Sequence, residues 1–172
     1  MDNIILIGYM GCGKTTVGKS IAKAAKYTFT DTDEMIAAQQ DRSISDIFAQ
    51  DGEPAFRDME TALLVKLLAE KNDMRVISTG GGMPVRKENR QLLKQLGTVV
   101  YLRVKPETVY ERIKGDTTRP LLQCENPIER IREMIKSRGP AYEETAELVI
   151  DVDNLTQREA AEQIIRKMED CV

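Results

Sequence analysis

The chain has 172 residues, a formal charge of -3 and no histidine. That length suits one domain burying about 70% of its unfolded surface around a single core, and the mild acidity argues against non-specific nucleic-acid binding, which needs a basic face. The zero for histidine excludes a His general base and a His-held metal, leaving Asp, Glu or Lys for proton transfer and oxygen ligands for a hard cation.

Three widely spaced cysteines, Cys12, Cys124 and Cys171, suit a reducing compartment better than a disulfide framework. No signal peptide or membrane-spanning run is visible. The chain is therefore read as cytoplasmic, without a membrane or nucleic-acid partner.

The first predicted element is a strand over residues 3–7, whose run Ile4-Ile5-Leu6-Ile7 is apolar on both faces, as in a covered parallel sheet. It leads straight into Gly8-Tyr9-Met10-Gly11-Cys12-Gly13-Lys14-Thr15, which fits the phosphate-binding pattern G-x-x-x-x-G-K-[ST] and says where a nucleotide triphosphate sits. The glycines let the backbone take positive φ and approach a polyphosphate, so that N–H groups converge on it at the positive end of a helix. Lys14 adds a mobile charge for the β- and γ-phosphates, and the Thr15 hydroxyl is placed to ligate the Mg²⁺ that bridges them. Gly11, Cys12, Gly13 and Thr16 complete the nucleotide-binding stretch. Cys12 is read as a small space-filler, against the alternative of an oxidisable thiol near a helix N-terminus. A helix is predicted over 17–26.

A second strand, 27–30, ends at Asp31-Thr32-Asp33. If the strand continues, the two carboxylates point the same way, and beside a phosphate loop the pair reads as metal and acceptor handling. The alternative is a cap on a helix starting at Asp33. Helices follow near 45–50 and across 54–70; on the latter Arg57 and Glu60 share a face at i,i+3, where Glu60 either holds the guanidinium in one orientation or forms an ordinary exposed helical pair with it. A strand over 75–78 ends at Thr79-Gly80-Gly81-Gly82, and three successive glycines are read as allowing close backbone approach to an acceptor hydroxyl or phosphate oxygen, the alternative being loop flexibility alone.

Beyond these come a helix near 89–96, a strand over 98–103 and a helix near 107–114. The stretch 115–126 has no regular assignment; its Arg119 is either the charge of a lid over bound phosphates or a solvated loop arginine. A helix over 127–145 carries Arg138 close to Pro140, which is expected to interrupt it, and a strand over 148–151 and a helix over 156–169 finish the chain. Strands alternating with helices indicate an open parallel α/β sheet covered on both faces, with ligands at the carboxyl ends of the strands. Arg57 and Arg138, if they converge, imply an anionic acceptor gripped through a carboxylate.

The phosphate loop continuing through Thr16-Val17-Gly18, Asp31-Thr32-Asp33, Phe56-Arg57 with Glu60, Gly80-Gly81-Gly82, Arg119-Pro120-Leu121-Leu122 and Arg138 with Pro140 and Tyr142 together resemble the shikimate kinases over nearly the whole chain. The resemblance implies a nucleoside-monophosphate-kinase-like three-layer α/β sandwich, its five-stranded parallel sheet in the order 2-3-1-4-5, with a mobile lid at about 115–126. It implies transfer of the ATP γ-phosphoryl to the 3-hydroxyl of shikimate, with Mg²⁺, in aromatic amino-acid biosynthesis.

The resemblance also implies residue roles. Asp33 falls on the acceptor hydroxyls and is catalytic with Lys14 and Arg119. Arg57 and Arg138 fall on the shikimate carboxylate, and Gly80, Gly81 and Gly82 against the ring hydroxyls. Asp31 joins Thr15 at the metal, Arg112 stacks on adenine, and Arg119 closes onto the phosphates. The chain is read as a monomer acting on a small molecule. A second reading keeps the kinase but makes gluconate or another small hydroxy acid the acceptor. A third, a nucleotide switch, expects N-K-x-D and D-x-x-G motifs that the sequence lacks.

Overall fold

The computed structural model describes residues 2–70, 74–117 and 123–170. Five strands, β1 (Asn3–Ile7), β2 (Thr28–Asp31), β3 (Arg75–Ser78), β4 (Gly97–Arg103) and β5 (Leu148–Asp151), pair in parallel in the order β2-β3-β1-β4-β5, as the resemblance implied. β1 is buried at every residue because it lies mid-sheet between two layers, with Leu6 paired to Ser78 on one side and Val100 on the other. The outer strands β2 and β5 are only partly covered.

The helices are α1 (Lys14–Ala25), α2 (Thr32–Gln40), α3 (Ile44–Ala69), α4 (Lys87–Leu96), α5 (Pro106–Ile113), α6 (Pro127–Thr145) and α7 (Gln157–Asp170), with a 3₁₀ turn at Met83–Val85. The chain leaves β1 toward β2 on one side and leaves β3 toward β4 on the other. Right-handed crossovers then put α1 and α4 on opposite faces, which makes three layers. Because the connections after neighbouring β1 and β3 diverge, a crevice opens between the loop 8–13 and the turn 79–82, the position where ligands enter such sheets.

One buried side chain fixes the opposite end of the sheet and one glycine sets a layer distance. The Asn3 side chain donates to Leu96 O at 2.9 Å and accepts from the Arg75 N–H at 3.0 Å, joining the starts of β1, β3 and β4. Gly18 lies where a Cβ would stand 2.7 Å from the Phe29 ring, so α1 sits closer to the sheet than any larger residue permits.

Three local expectations need correction or refinement. The strand β2 stops at Asp31 and does not carry on through Asp33, because Asp31 Oδ1 caps α2 by accepting the Asp33 N–H at 2.9 Å and the Glu34 N–H at 3.3 Å. The two helices read over 45–50 and 54–70 form one element, α3, with a break at Gly52 (φ 84, ψ 169) and Pro54 inside it. Pro140 does not interrupt α6, which runs through it to Thr145; the residue before it is Gly139, with no Cβ to clash with the proline ring. Arg119 and residues 118–122 lie outside the described residues, so the lid is not described there. Among the described residues no helix is long and apolar enough to cross a membrane.

Candidate active site

The phosphate loop takes the shape its glycines permit: Gly8, Gly11 and Gly13 have φ of 145°, 73° and 96°. A Cβ on Gly8 would stand 2.7 Å from Leu102 O and 2.9 Å from Cys12 Sγ, so the loop is folded tightly against β4. Side chains cap α2, α3 and α6 from Asp31, Ser43 and Asn126, whereas Gly13 at the start of α1 offers none. The first N–H groups of α1 are thus left open to an anion. Lys14 Nζ meanwhile donates to Gly8 O at 2.7 Å and Tyr9 O at 3.1 Å, folded over the loop that it would leave for a phosphate.

Beside the loop, Thr15 Oγ1 stands 3.5 Å from Asp31 Oδ2, while Asp31 Oδ1 is occupied in capping. Asp31 thus caps α2 through one oxygen and turns the other to the Thr15 hydroxyl. Among the described residues no cluster of three or more carboxylate, His or Cys ligands exists to hold a metal by protein alone. A hydroxyl beside a carboxylate oxygen is a donor pair of the kind Mg²⁺ takes alongside waters and substrate phosphates. Cys12 is 1% exposed and packed in the core, consistent with a space-filling role.

Asp33 lies in the first turn of α2 and faces the crevice. Lys14, Thr15, Asp31, Asp33, Gly80 and Gly81 are among the residues lining a cavity of about 340 Å³ there. Asp33 Oδ1 is buried without a hydrogen-bond partner, and so is Glu60 Oε1. The two flank one glycine: a Cβ on Gly80 would stand 2.8 Å from the first and 3.0 Å from the second. Burial raises the Asp33 carboxyl above the usual carboxylate range and the charge of Asp31 adds to this, while Lys14 and Arg57 oppose it. Burial likewise pushes Glu60 up to about 7 against the pull of Arg57.

Arg57 is held from both sides, donating to Glu60 at 2.7 Å and to Glu53 at 3.0 Å. Glu60 was legible as its partner; Glu53 was not, although its i,i+4 spacing was available. A Cβ on Gly82 would stand 2.2 Å from Arg57 Nη2, and one on Gly81 would stand 3.6 Å from Arg138 Nη1. The two arginines, 81 residues apart in sequence, therefore reach adjacent glycines of one turn. Thr32, passed over between two aspartates, accepts the Gly80 N–H at 3.0 Å and fastens that turn to α2.

On the far side of the loop, Arg112 donates to Gly11 O at 3.0 Å and to Val152 O at 3.1 Å. It borders a cavity of about 720 Å³ together with Gly13, Thr16, Leu155 and Thr156. Leu155 and Thr156 carry no motif and could be found only by the fold. The two cavities share Gly11, Gly13 and Thr16, and the smaller reaches the glycine turn against which Arg57 and Arg138 lie, so together they make a trough from the Arg112 side across the loop toward the arginine pair.

Comparisons with known proteins point to one family. The shikimate kinase family profile matches residues 10–169. A shikimate kinase of Thermodesulfovibrio yellowstonii is 47% identical over 98% of this chain and 96% of its own length. The solved shikimate kinase of Acinetobacter baumannii, in complex with shikimate, superposes with a TM-score of 0.91 at 38% identity, covering 99% of this chain and 94% of that one. A gluconokinase of Sinorhizobium meliloti, at 18% identity and a TM-score of 0.55 over 99% of this chain and 95% of that one, shares the fold alone.

Proposed function

The chain belongs to the shikimate kinase family, and from that premise we propose how its residues divide the work. The protein is a kinase that phosphorylates shikimate on its 3-hydroxyl at the expense of ATP. The observation that carries the residue assignment is the trough itself: an uncapped phosphate-loop helix at one end, two arginines on adjacent glycines at the other, and an unpartnered Asp33 oxygen between.

ATP would lie with its base in the cavity beside Arg112 and its phosphates on the N–H groups of residues 11–16. Lys14 would exchange Gly8 O and Tyr9 O for β- and γ-phosphate oxygens. Thr15 and Asp31 would hold Mg²⁺, which when bound neutralises phosphate charge. At the other end Arg57 and Arg138 would grip the shikimate carboxylate in bidentate fashion, and Gly80 to Gly82 would meet the ring hydroxyls. Two fixed guanidiniums orient the ring, so that its 3-hydroxyl faces the γ-phosphorus near Asp33.

Asp33 would accept that hydroxyl's hydrogen bond and take up its proton as the oxygen attacks. With an elevated pKa it is a better proton acceptor than an ordinary carboxylate. Most of the acceleration would come from positioning and from charge supplied by Lys14 and Arg119. Residues 115–126 are proposed as a lid on one domain spanning 1–172. The protein is proposed to act as a cytoplasmic monomer with no nucleic-acid or membrane partner.

The test is ADP release with ATP and Mg²⁺ against shikimate, gluconate and nucleoside monophosphates. Turnover with shikimate alone is expected. Turnover with gluconate and none with shikimate would overturn the reading.

A further inference from the structure

The turn 80–85 has every carbonyl taken. Gly80 O accepts the Met83 N–H and Gly82 O the Val85 N–H, both at 3.1 Å. The other four are held by side chains of two helices. Tyr142 on α6 donates its hydroxyl to Gly81 O, and Asn89 on α4 donates to Met83 O at 3.0 Å. Arg90, also on α4, donates Nε to Pro84 O at 2.8 Å and Nη2 to Val85 O at 3.1 Å. Surface turns ordinarily leave such carbonyls to water. Here each peptide plane is pinned, and in a trans peptide a pinned C=O fixes the direction of the following N–H. The bond to Gly81 O therefore aims the Gly82 N–H away from Tyr142.

Arg138, one turn earlier on α6, comes to the same peptide: a Cβ on Gly81 would stand 3.6 Å from its Nη1. The Tyr142 side chain is fully buried, and its ring packs on Tyr101 with centroids 5.0 Å apart, so the hydroxyl has little freedom. Burial also raises its pKa, opposed by Arg138, which keeps the donor proton in place. Arg90 in turn pairs with Glu144, two residues from Tyr142, closing α4, α6 and the turn into one unit. Neither Tyr142 nor Arg90 lines the 340 Å³ cavity.

We propose that Tyr142 and Arg90 are positioning residues of the acceptor site: Tyr142 fixes the Gly81-Gly82 peptide beside which Arg138 lies, and Arg90 clamps the far end of the same turn. This rests on the reading that places shikimate on that turn and on Arg138. Both residues act through the groups they hold, so their loss falls on one substrate and spares the other.

Steady-state kinetics of Tyr142→Phe, with both substrates varied, tests it, because the ring is kept and only the hydroxyl goes. The KM for shikimate is expected to rise about tenfold with the KM for ATP unchanged, the size expected for one lost buried hydrogen bond. A merely structural role lowers the amount of active enzyme and leaves both KM values alone. That result, or an equal rise in both, overturns the proposal. Arg90→Gln is expected to raise the shikimate KM about threefold, and it decides alone if the Phe variant does not fold. Absence of shikimate turnover in the unmodified enzyme would instead refute the functional reading and not this inference.

Discussion

The two ends of the trough are built by opposite strategies. The phosphate cradle of the nucleotide end comes from one contiguous stretch, residues 8–16, and relies largely on backbone: three glycines at positive φ and the open N–H groups of α1. The acceptor end is assembled from α2, α3, the turn after β3 and α6, and relies on charged side chains held by other charged side chains. A polyphosphate is a large, repetitive anion that many N–H groups can hold together. A small hydroxy acid presents one carboxylate and a few hydroxyls, so each needs its own aimed partner.

The contrast breaks most sharply at Asp33. Asp33→Asn keeps the shape and removes the proton acceptor, so kcat is expected to fall by about 10²–10⁴ with little change in the KM for ATP; comparable losses in both would mean that Asp33 serves the nucleotide end. Arg57→Ala comes next. Losing a charge-assisted grip should raise the shikimate KM by about 10- to 100-fold, again sparing ATP, as steady-state kinetics would show.

A smaller effect lies in Glu60, the buried carboxylate behind Arg57. Its pKa is raised from 4.5 to about 7 in the fold, so the native state holds the proton more tightly than the unfolded chain. That contribution is fully present below pH 4.5 and is lost as pH rises through about 7. In urea unfolding, the stability advantage of the native chain over Glu60→Gln should therefore shrink from pH 5 to pH 8. An advantage that grew with pH would place the charged form as the favoured one.

The smallest effect sharpens the comparison from the nucleotide side. If backbone does the holding there, Cys12→Ala should change the KM for ATP by less than about twofold while costing about 1 kcal/mol in thermal unfolding through lost packing. A large rise in that KM would show the side chain at work.

Much of this was legible in the sequence. The strand-turn-helix of residues 3–25 could be read because its pattern is local and each glycine has a steric reason. Asp33, Arg57, the glycine turn and Arg138 were identifiable as separate signals, and Glu60 as a partner of Arg57. The details that depend on contact were not. Asp31 divides its two oxygens between a helix cap and Thr15, Thr32 and Tyr142 fasten the glycine turn, and Glu53 adds a second hold on Arg57. Each involves an ordinary residue type whose partner is either distant in sequence or one of several it might have taken. Pro140 shows the converse: a residue type that usually ends a helix lies inside α6, where the preceding Gly139 has no Cβ to meet its ring.

By itself the sequence determined the alternation of strands and helices and the phosphate loop, because hydrophobic period and glycine sterics act over a few residues. Only the tertiary structure decided that two arginines 81 residues apart reach neighbouring glycines, and that two carboxylate oxygens are left buried and unpaired beside Gly80. Those are consequences of the strand order, which brings the ends of β1 and β3 together and buries both carboxyls, raising their affinity for a proton.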